Sequence, residues 1–146
     1  MAYWLAGFFA QPVIRKPVNL PADASWREIS SPFIGIGVRL EHLIGEQPTP
    51  EAVKEIAREL GLEESVCWLY LTYTCWAGKI DFVYGLGMRN GVPFGPLSES
   101  EQGRTELVYT NLMSHLGLLP EQAMQFEPFE RGYWEKARPS WRSFPR

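Results

Sequence analysis

The spacing of apolar residues changes along the chain between the period of a strand and the period of a helix. Segments dense in aromatic and β-branched residues predict strands at 3–9, 32–40, 65–76 and 80–89, and VPF at 92–94 predicts a short edge strand. Residues 10–31 contain three prolines and are expected to form an ordered loop. The strands account for most of the aromatic residues before the C-terminal segment.

Two segments have the pattern of amphipathic helices. In the first, Thr49 is a suitable N-cap, Pro50 fits the first helical position, and Gly61 fits the left-handed residue after the end. The second is expected to begin at Ser98 or Ser100 and to end at Gly117. Its expected buried stripe consists of Thr105, Val108, Tyr109, Leu112 and Leu116.

These elements predict a single α+β domain over residues 1–146, an antiparallel sheet of four to six strands with two helices on one face. The word GIGVR at 35–39 returns as GLGMR at 85–89, and each copy lies between a Trp-Leu pair and a helix that ends in LGL. A duplicated strand–strand–helix unit, with halves at 3–62 and 66–118, would produce this order. Each word is also short enough to occur twice without duplication.

In element order alone, residues 33–126 are similar to the duplicated strand–helix–strand–strand effector domains of the gyrase-inhibitor-like group. The resemblance implies a cleft between two halves that holds cationic aromatic drugs. It carries no motif, so no binding residue of that group transfers to this chain.

Composition limits the classes of partner. With 45% hydrophobic and 14% aromatic residues the chain is expected to be globular, and a net charge of −3 argues against nucleic acid or an anionic membrane. Residues 1–130 hold 16 of the 17 acidic but only 9 of the 14 basic side chains. The basic, aromatic segment 126–146 is expected to dock on the acidic body or to form a protein contact or a homodimer contact.

The apolar start MAYWLAGFFA lacks a basic leader, and no stretch stays apolar for the ~20 residues of a membrane span, so a cytoplasmic location is expected. Cys67 and Cys75 are eight residues apart in one predicted strand, which separates them by about 26 Å. We therefore expect two free thiols rather than a disulfide.

The glycines of the repeated word carry the functional hypothesis. Side chains alternate between the faces of a strand, so both glycines of each copy lie on one face, and glycine inside a strand indicates close approach of a ligand or of other backbone. If Gly78 and Lys79 form the hairpin turn, Trp68, Tyr70 and Trp76 share that face, opposite the helices. The predicted trough consists of Gly35, Gly37, Arg39, Glu41, Trp68, Tyr70, Trp76, Asp81, Gly85, Gly87 and Arg89.

Such a trough predicts a non-catalytic binding protein for a small aromatic or cationic ligand, with no cofactor and no metal. In the alternative interpretation, the loop 10–31 or the aromatic tail fills the trough, and the two arginines pair with the acidic residues. A second function hypothesis is an immunity- or adaptor-type interaction module that covers a basic protein with its acidic body. A third is a hydrolase that uses Cys75 with His42 or His115, or the carboxylate pair Glu127 and Glu130, although no local catalytic signature supports it.

Overall fold

The computed structural model describes residues 2–12, 14–77, 79–126 and 134. Six strands and three α-helices form within these residues, together with a short 3-10 turn at Glu41–Leu43. In chain order they are β1 (Ala2–Gln11), β2 (Ala24–Ile29), β3 (Gly35–Leu40), α1 (Pro50–Glu59), β4 (Cys67–Trp76), β5 (Lys79–Arg89), β6 (Val92–Glu99), α2 (Thr105–Ser114) and α3 (Pro120–Met124).

All six strands form one antiparallel sheet in the order β2-β3-β1-β4-β5-β6. The prediction of an α+β fold built on an antiparallel sheet of four to six strands is confirmed. β1 and β4 lie at the centre and pair over ten residues, from Ala2 opposite Trp76 to Gln11 opposite Cys67. β2 and β6 form the two edges.

The central strands are apolar on both faces of the sheet. On one face, Leu5, Phe9, Leu69 and Leu71 pack with residues of α2; on the other, Ala6, Phe8, Trp68 and Tyr70 pack with residues of α1. A strand that is apolar on both sides has to be covered on both sides. We call these two faces the α2 face and the α1 face.

The placement of two helices on one face is not confirmed, because the two predicted helices lie on opposite faces. α1 contributes Val53 and Ala57 to the α1 face, whereas α2 contributes Tyr109 and Leu112 to the α2 face. In the second helix and the turn after it, the predicted residues Thr105, Tyr109, Leu112 and Leu116 are buried and Val108 is partly buried. The periodicity within each helix carried no information about which face of the sheet its buried stripe would meet.

α1 has the predicted ends. The hydroxyl of Thr49 accepts a hydrogen bond from the backbone N–H of Ala52 at 3.2 Å, and Pro50 occupies the first turn, where its missing N–H leaves no bond unmade. Gly61, with φ of +78°, takes the left-handed conformation after the last turn.

The second half of the chain differs from the prediction at its edges. β6 continues to Glu99 rather than ending at residue 94, so α2 begins at Thr105 instead of Ser98 or Ser100. α3 was not predicted. β2 was assigned to the loop 10–31, since its sequence ASWREI has only one β-branched residue and two charges, a composition suited to an edge strand.

The duplication is not confirmed. The first three strands lie in the order β2-β3-β1 and the next three in the order β4-β5-β6, and their helices cover opposite faces. This β-β-β-α order also departs from the strand–helix–strand–strand units of the gyrase-inhibitor-like group. The two copies of the repeated word nevertheless occupy comparable places, because β3 and β5 are each the middle strand of their three.

Candidate functional site

The hairpin of β4 and β5 has a different register from the one predicted. Trp76 pairs with Lys79, and Ala77 takes a φ of +53°, so the turn lies one residue earlier than Gly78 and Lys79. Asp81 is an extra residue in β5, so the pairing shifts by one residue and, from Thr74 to Cys67, brings Tyr70 opposite Leu86 and Trp68 opposite Met88. A shift by one residue moves every side chain to the other face, so the predicted walls and the glycines do not share a face.

Trp68 and Tyr70 belong to the α1 face, where they are 3% and 0% exposed. The ring centroid of Trp68 lies 5.8 Å from that of Phe8, and the ring centroid of Tyr70 lies 5.2 Å from it. They are core residues beneath α1, and their assignment to an open trough is wrong.

The four glycines do lie together on the α2 face, but that face is occupied by the chain itself. A Cβ at Gly37 would stand 3.1 Å from a ring atom of Phe9 and 3.1 Å from one of Trp134. A Cβ at Gly85 would stand 2.8 Å from Leu112 of α2. The glycines therefore make room for the chain's own side chains.

Gly35 and Gly87 allow close approach of backbone. A Cβ at Gly35 would meet the carbonyl oxygen of Ala10 at 2.0 Å, and one at Gly87 would meet the carbonyl oxygen of Trp68 at 2.1 Å. Each oxygen belongs to the neighbouring strand. The space predicted for a ligand is thus filled by strand backbone and, above Gly37, by the C-terminal segment, as the alternative interpretation held.

That segment reaches the core through its two described residues, Phe126 and Trp134, which are 3% and 4% exposed. The ring centroid of Phe126 lies 5.3 Å from that of Phe9 and 5.8 Å from that of Phe33. Docking of the segment on the body is confirmed for these two residues. Glu127, Glu130 and the rest of 126–146 lie outside the described residues.

The arginines of the two words have unrelated roles. Arg39 forms an ion pair with Glu41, as the alternative interpretation expected. Arg89 instead donates to the carbonyl oxygen of His115 at 2.5 Å, just past the end of α2, and to the side chain of Gln11 at 3.2 Å. A cation at a helix C-terminus satisfies carbonyls that lack partners and stabilises the helix dipole.

The other groups at the end of α2 serve the same structural purpose. The side chain of Gln11 donates to the carbonyl of Leu116 at 3.0 Å, and the thiol of Cys67 donates to the carbonyl of His115 at 3.3 Å. Burial raises the pKa of the Cys67 thiol despite the nearby Arg89, so this thiol stays protonated at neutral pH. It is not an activated nucleophile.

The predicted thiol–base pairs involve histidines that have other partners. The imidazole of His115 stacks on the ring of Phe94 with centroids 3.8 Å apart. The carboxylate of Asp23 accepts from the backbone N–H of His42 at 2.7 Å and lies 3.2 Å from its Nδ1. Cys75 packs against the core of the α2 face. No described contact supports the hydrolase hypothesis.

An exposed aromatic surface remains on the α1 face, at the end of the sheet where β1 begins and β4 ends. Trp4 and Trp76 are 49% and 59% exposed, although both are large apolar side chains on central strands. Trp4 lies opposite Thr74, so Trp76 is its diagonal neighbour, about 7–8 Å away between Cα atoms. We call Trp4, Thr74, Trp76, Asp81 and Phe82 the tryptophan patch.

A carboxylate is held within this patch by an irregularity in β5. Thr74 pairs with Phe82 and Cys75 with Ile80, so Asp81 is the extra residue of a β-bulge. The hydroxyl of Thr74 donates to the carboxylate of Asp81. A bulge changes the direction of a side chain, and here it brings the exposed carboxylate next to Thr74, on the side of β4 opposite to Trp4.

Of the eleven predicted site residues, only Trp76 and Asp81 belong to the patch. Trp4 was missed because the strand at 3–9 was predicted without an assignment of its two faces. Part of the signal was present, because Trp4, Ala6 and Phe8 alternate with Leu5 and Phe9. The antiparallel pairing of β1 with β4, which brings Trp4 close to Trp76, is visible only in the structure. The bulge at Asp81 has no signal in the sequence.

No protein-family model matches the chain, and comparisons with curated proteins and with solved structures give no match either. Among the described residues, no three His, Cys, Asp or Glu side chains are grouped as a metal site would require. The same residues include no helix with the length and apolar character needed to cross a membrane.

Proposed function

We propose that this chain is a non-catalytic binding protein whose tryptophan patch takes a small aromatic or cationic ligand. The observation that carries the proposal is the position of the Asp81 carboxylate beside Thr74, with Trp4 exposed on the neighbouring strand β1 and Trp76 exposed two residues further along β4. Tryptophan is among the side chains that contribute most to binding when a partner buries it. A protein gains nothing in stability by leaving two indoles in water.

The test is a fragment screen read by the indole N–H signals of the six tryptophans in a ¹⁵N-labelled sample. The signals are assigned with the Trp4→Phe and Trp76→Phe variants. Binding at the patch shifts the signals of Trp4 and Trp76 and leaves those of the buried Trp68 and Trp134 in place. A library of neutral, cationic and anionic aromatic fragments that moves none of the exposed signals, or moves mainly the buried ones, would refute the proposal.

A second candidate is the interaction module with an acidic surface, which the outer side of α1 supports. Glu51, Glu55 and Glu59 are exposed there, and Glu55 forms an ion pair with Arg58. Capture of a basic protein at low salt, lost at high salt and in a triple Glu→Gln variant, is the expected result. Capture that is insensitive to salt would contradict it. A homodimer stays a prediction, tested by the mass of the chain in solution at increasing concentration.

A further inference from the structure

The bulge in β5 combines two kinds of group at one point of the surface. One is the carboxylate of Asp81, which accepts a hydrogen bond from the hydroxyl of Thr74 through one oxygen, on a residue that is exposed. The other is a set of aromatic rings: two indoles that are about half exposed and the partly buried ring of Phe82. Without the bulge, Asp81 and Phe82 would lie on opposite faces.

Both kinds of group favour a positive charge. An ionised carboxylate only accepts hydrogen bonds, and the face of an aromatic ring carries negative potential that attracts a cation. A neutral aromatic ligand would gain the contact area of the rings but nothing from Asp81, and an anion would be repelled by it. We propose that the tryptophan patch selects a small organic cation with an alkylated ammonium group. This inference rests on the proposed function and specifies its ligand.

Alkylation matters because of hydration. A primary ammonium is compact and strongly hydrated, so moving it from water to an aromatic surface is costly. Methyl groups spread the charge and present apolar surface to the indoles, which lowers that cost. Recognition of quaternary ammonium groups by several aromatic rings follows this principle.

Lys79 supplies a built-in test of the charge argument. It pairs with Trp76 across the hairpin, and it is exposed, so it places a positive charge at the border of the patch. This charge repels a bound cation but has no such effect on a neutral ligand of the same shape. Removing it is therefore expected to strengthen binding of the cation alone.

The experiment compares choline with 3,3-dimethyl-1-butanol, its neutral isostere, by titration of the indole N–H signals of the full chain at fixed ionic strength. Choline is expected to bind more tightly than the alcohol. Trp76→Ala should weaken choline binding about twofold to fivefold, the contribution of one exposed ring. Asp81→Asn should weaken it by a similar factor and leave binding of the alcohol unchanged.

Two variants complete the design. Lys79→Gln is expected to raise the affinity for choline about twofold and to leave that for the alcohol unchanged. Glu121→Gln, which removes an exposed carboxylate on α3, is the control and should change neither affinity. The Asp81→Asn chain must retain the hairpin, and the unshifted indole signals of the buried tryptophans report this directly.

Each outcome supports or overturns the inference. Equal binding of choline and the alcohol, with no effect of Asp81→Asn, would overturn the selection of a cation but leave an aromatic binding surface, so the proposed function would stand. For a ligand with a Kd of about 1 mM, a concentration of about 0.1 M is 100-fold above the Kd, and absence of choline binding at that concentration would also overturn the inference. The fragment screen then decides the proposed function separately.

Discussion

Trp134→Ala tests whether the chain's own C-terminal segment fills the space above the repeated glycines. The indole is 4% exposed and touches the position above Gly37, so its removal leaves a large cavity in the core of the α2 face. Truncation of a buried aromatic residue to alanine costs about 3–5 kcal/mol of folding free energy. For a chain of this length, that loss lowers the melting temperature by about 10–16 °C.

Trp76→Ala is the matched control, since it removes the same side chain from a position that is 59% exposed. We expect it to cost less than about 1 kcal/mol. Urea unfolding followed by far-UV circular dichroism compares the two variants without relying on tryptophan fluorescence. Trp134→Phe, which keeps a ring in the cavity, should fall between Trp134→Ala and the parent chain.

A double-mutant cycle with Gly37→Ala adds a test of direct contact. The new methyl group would stand 3.1 Å from the Trp134 ring, so it should cost less stability once that ring is absent. The reasoning is refuted if Trp134→Ala and Trp76→Ala lie within about 1 kcal/mol of each other. It is also refuted if the cost of Gly37→Ala is the same in both backgrounds.

Three further predictions follow from the same contacts. Gly85→Ala should lower the free energy of unfolding, measured in urea, by about 1–3 kcal/mol and by more than Gly37→Ala does. The reason is that the backbone oxygen of Tyr70 lies 2.9 Å from the new Cβ at Gly85 and cannot move aside; an equal or smaller cost would contradict this. Arg89→Gln should cost about 1–2 kcal/mol, since α2 loses the cation at its C-terminus. Arg39→Gln should cost less than about 1 kcal/mol, because the carboxylate of its partner Glu41 is half exposed; the reverse order would show that Arg89 does not support α2. Burial and the nearby Arg89 lower the pKa of His115 below its ordinary value of 6.5, so around this pH the unfolded chain binds more protons than the folded chain, and the free energy of unfolding should fall as the pH is lowered from 7.5 to 5. His115→Phe keeps the stack on Phe94 and should reduce this dependence of stability on pH; an unchanged dependence would contradict the assignment.

The chain itself specifies most of the elements, because each depends on neighbouring residues. Thr49, Pro50 and Gly61 define α1 through bonds and backbone angles within a few residues, and the aromatic, β-branched run of β4 is recognisable alone. The glycines of the repeated word also predicted a close approach, and a close approach is present at Gly35, Gly37, Gly85 and Gly87. What approaches them could not be inferred from local sequence.

Only the tertiary structure decided which surfaces were left open. The bulge at Asp81 shifts the register of one hairpin by a single residue, and with period-2 alternation this exchanges the two faces of β5 relative to β4. Trp68 and Tyr70 consequently lie in the core beneath α1, whereas Gly85 lies on the other face beneath Leu112, and Trp76 is exposed near Trp4. These contacts join residues that are far apart in the chain. The free energy that a side chain gains by burial depends on the residues that surround it in the fold rather than on its residue type alone.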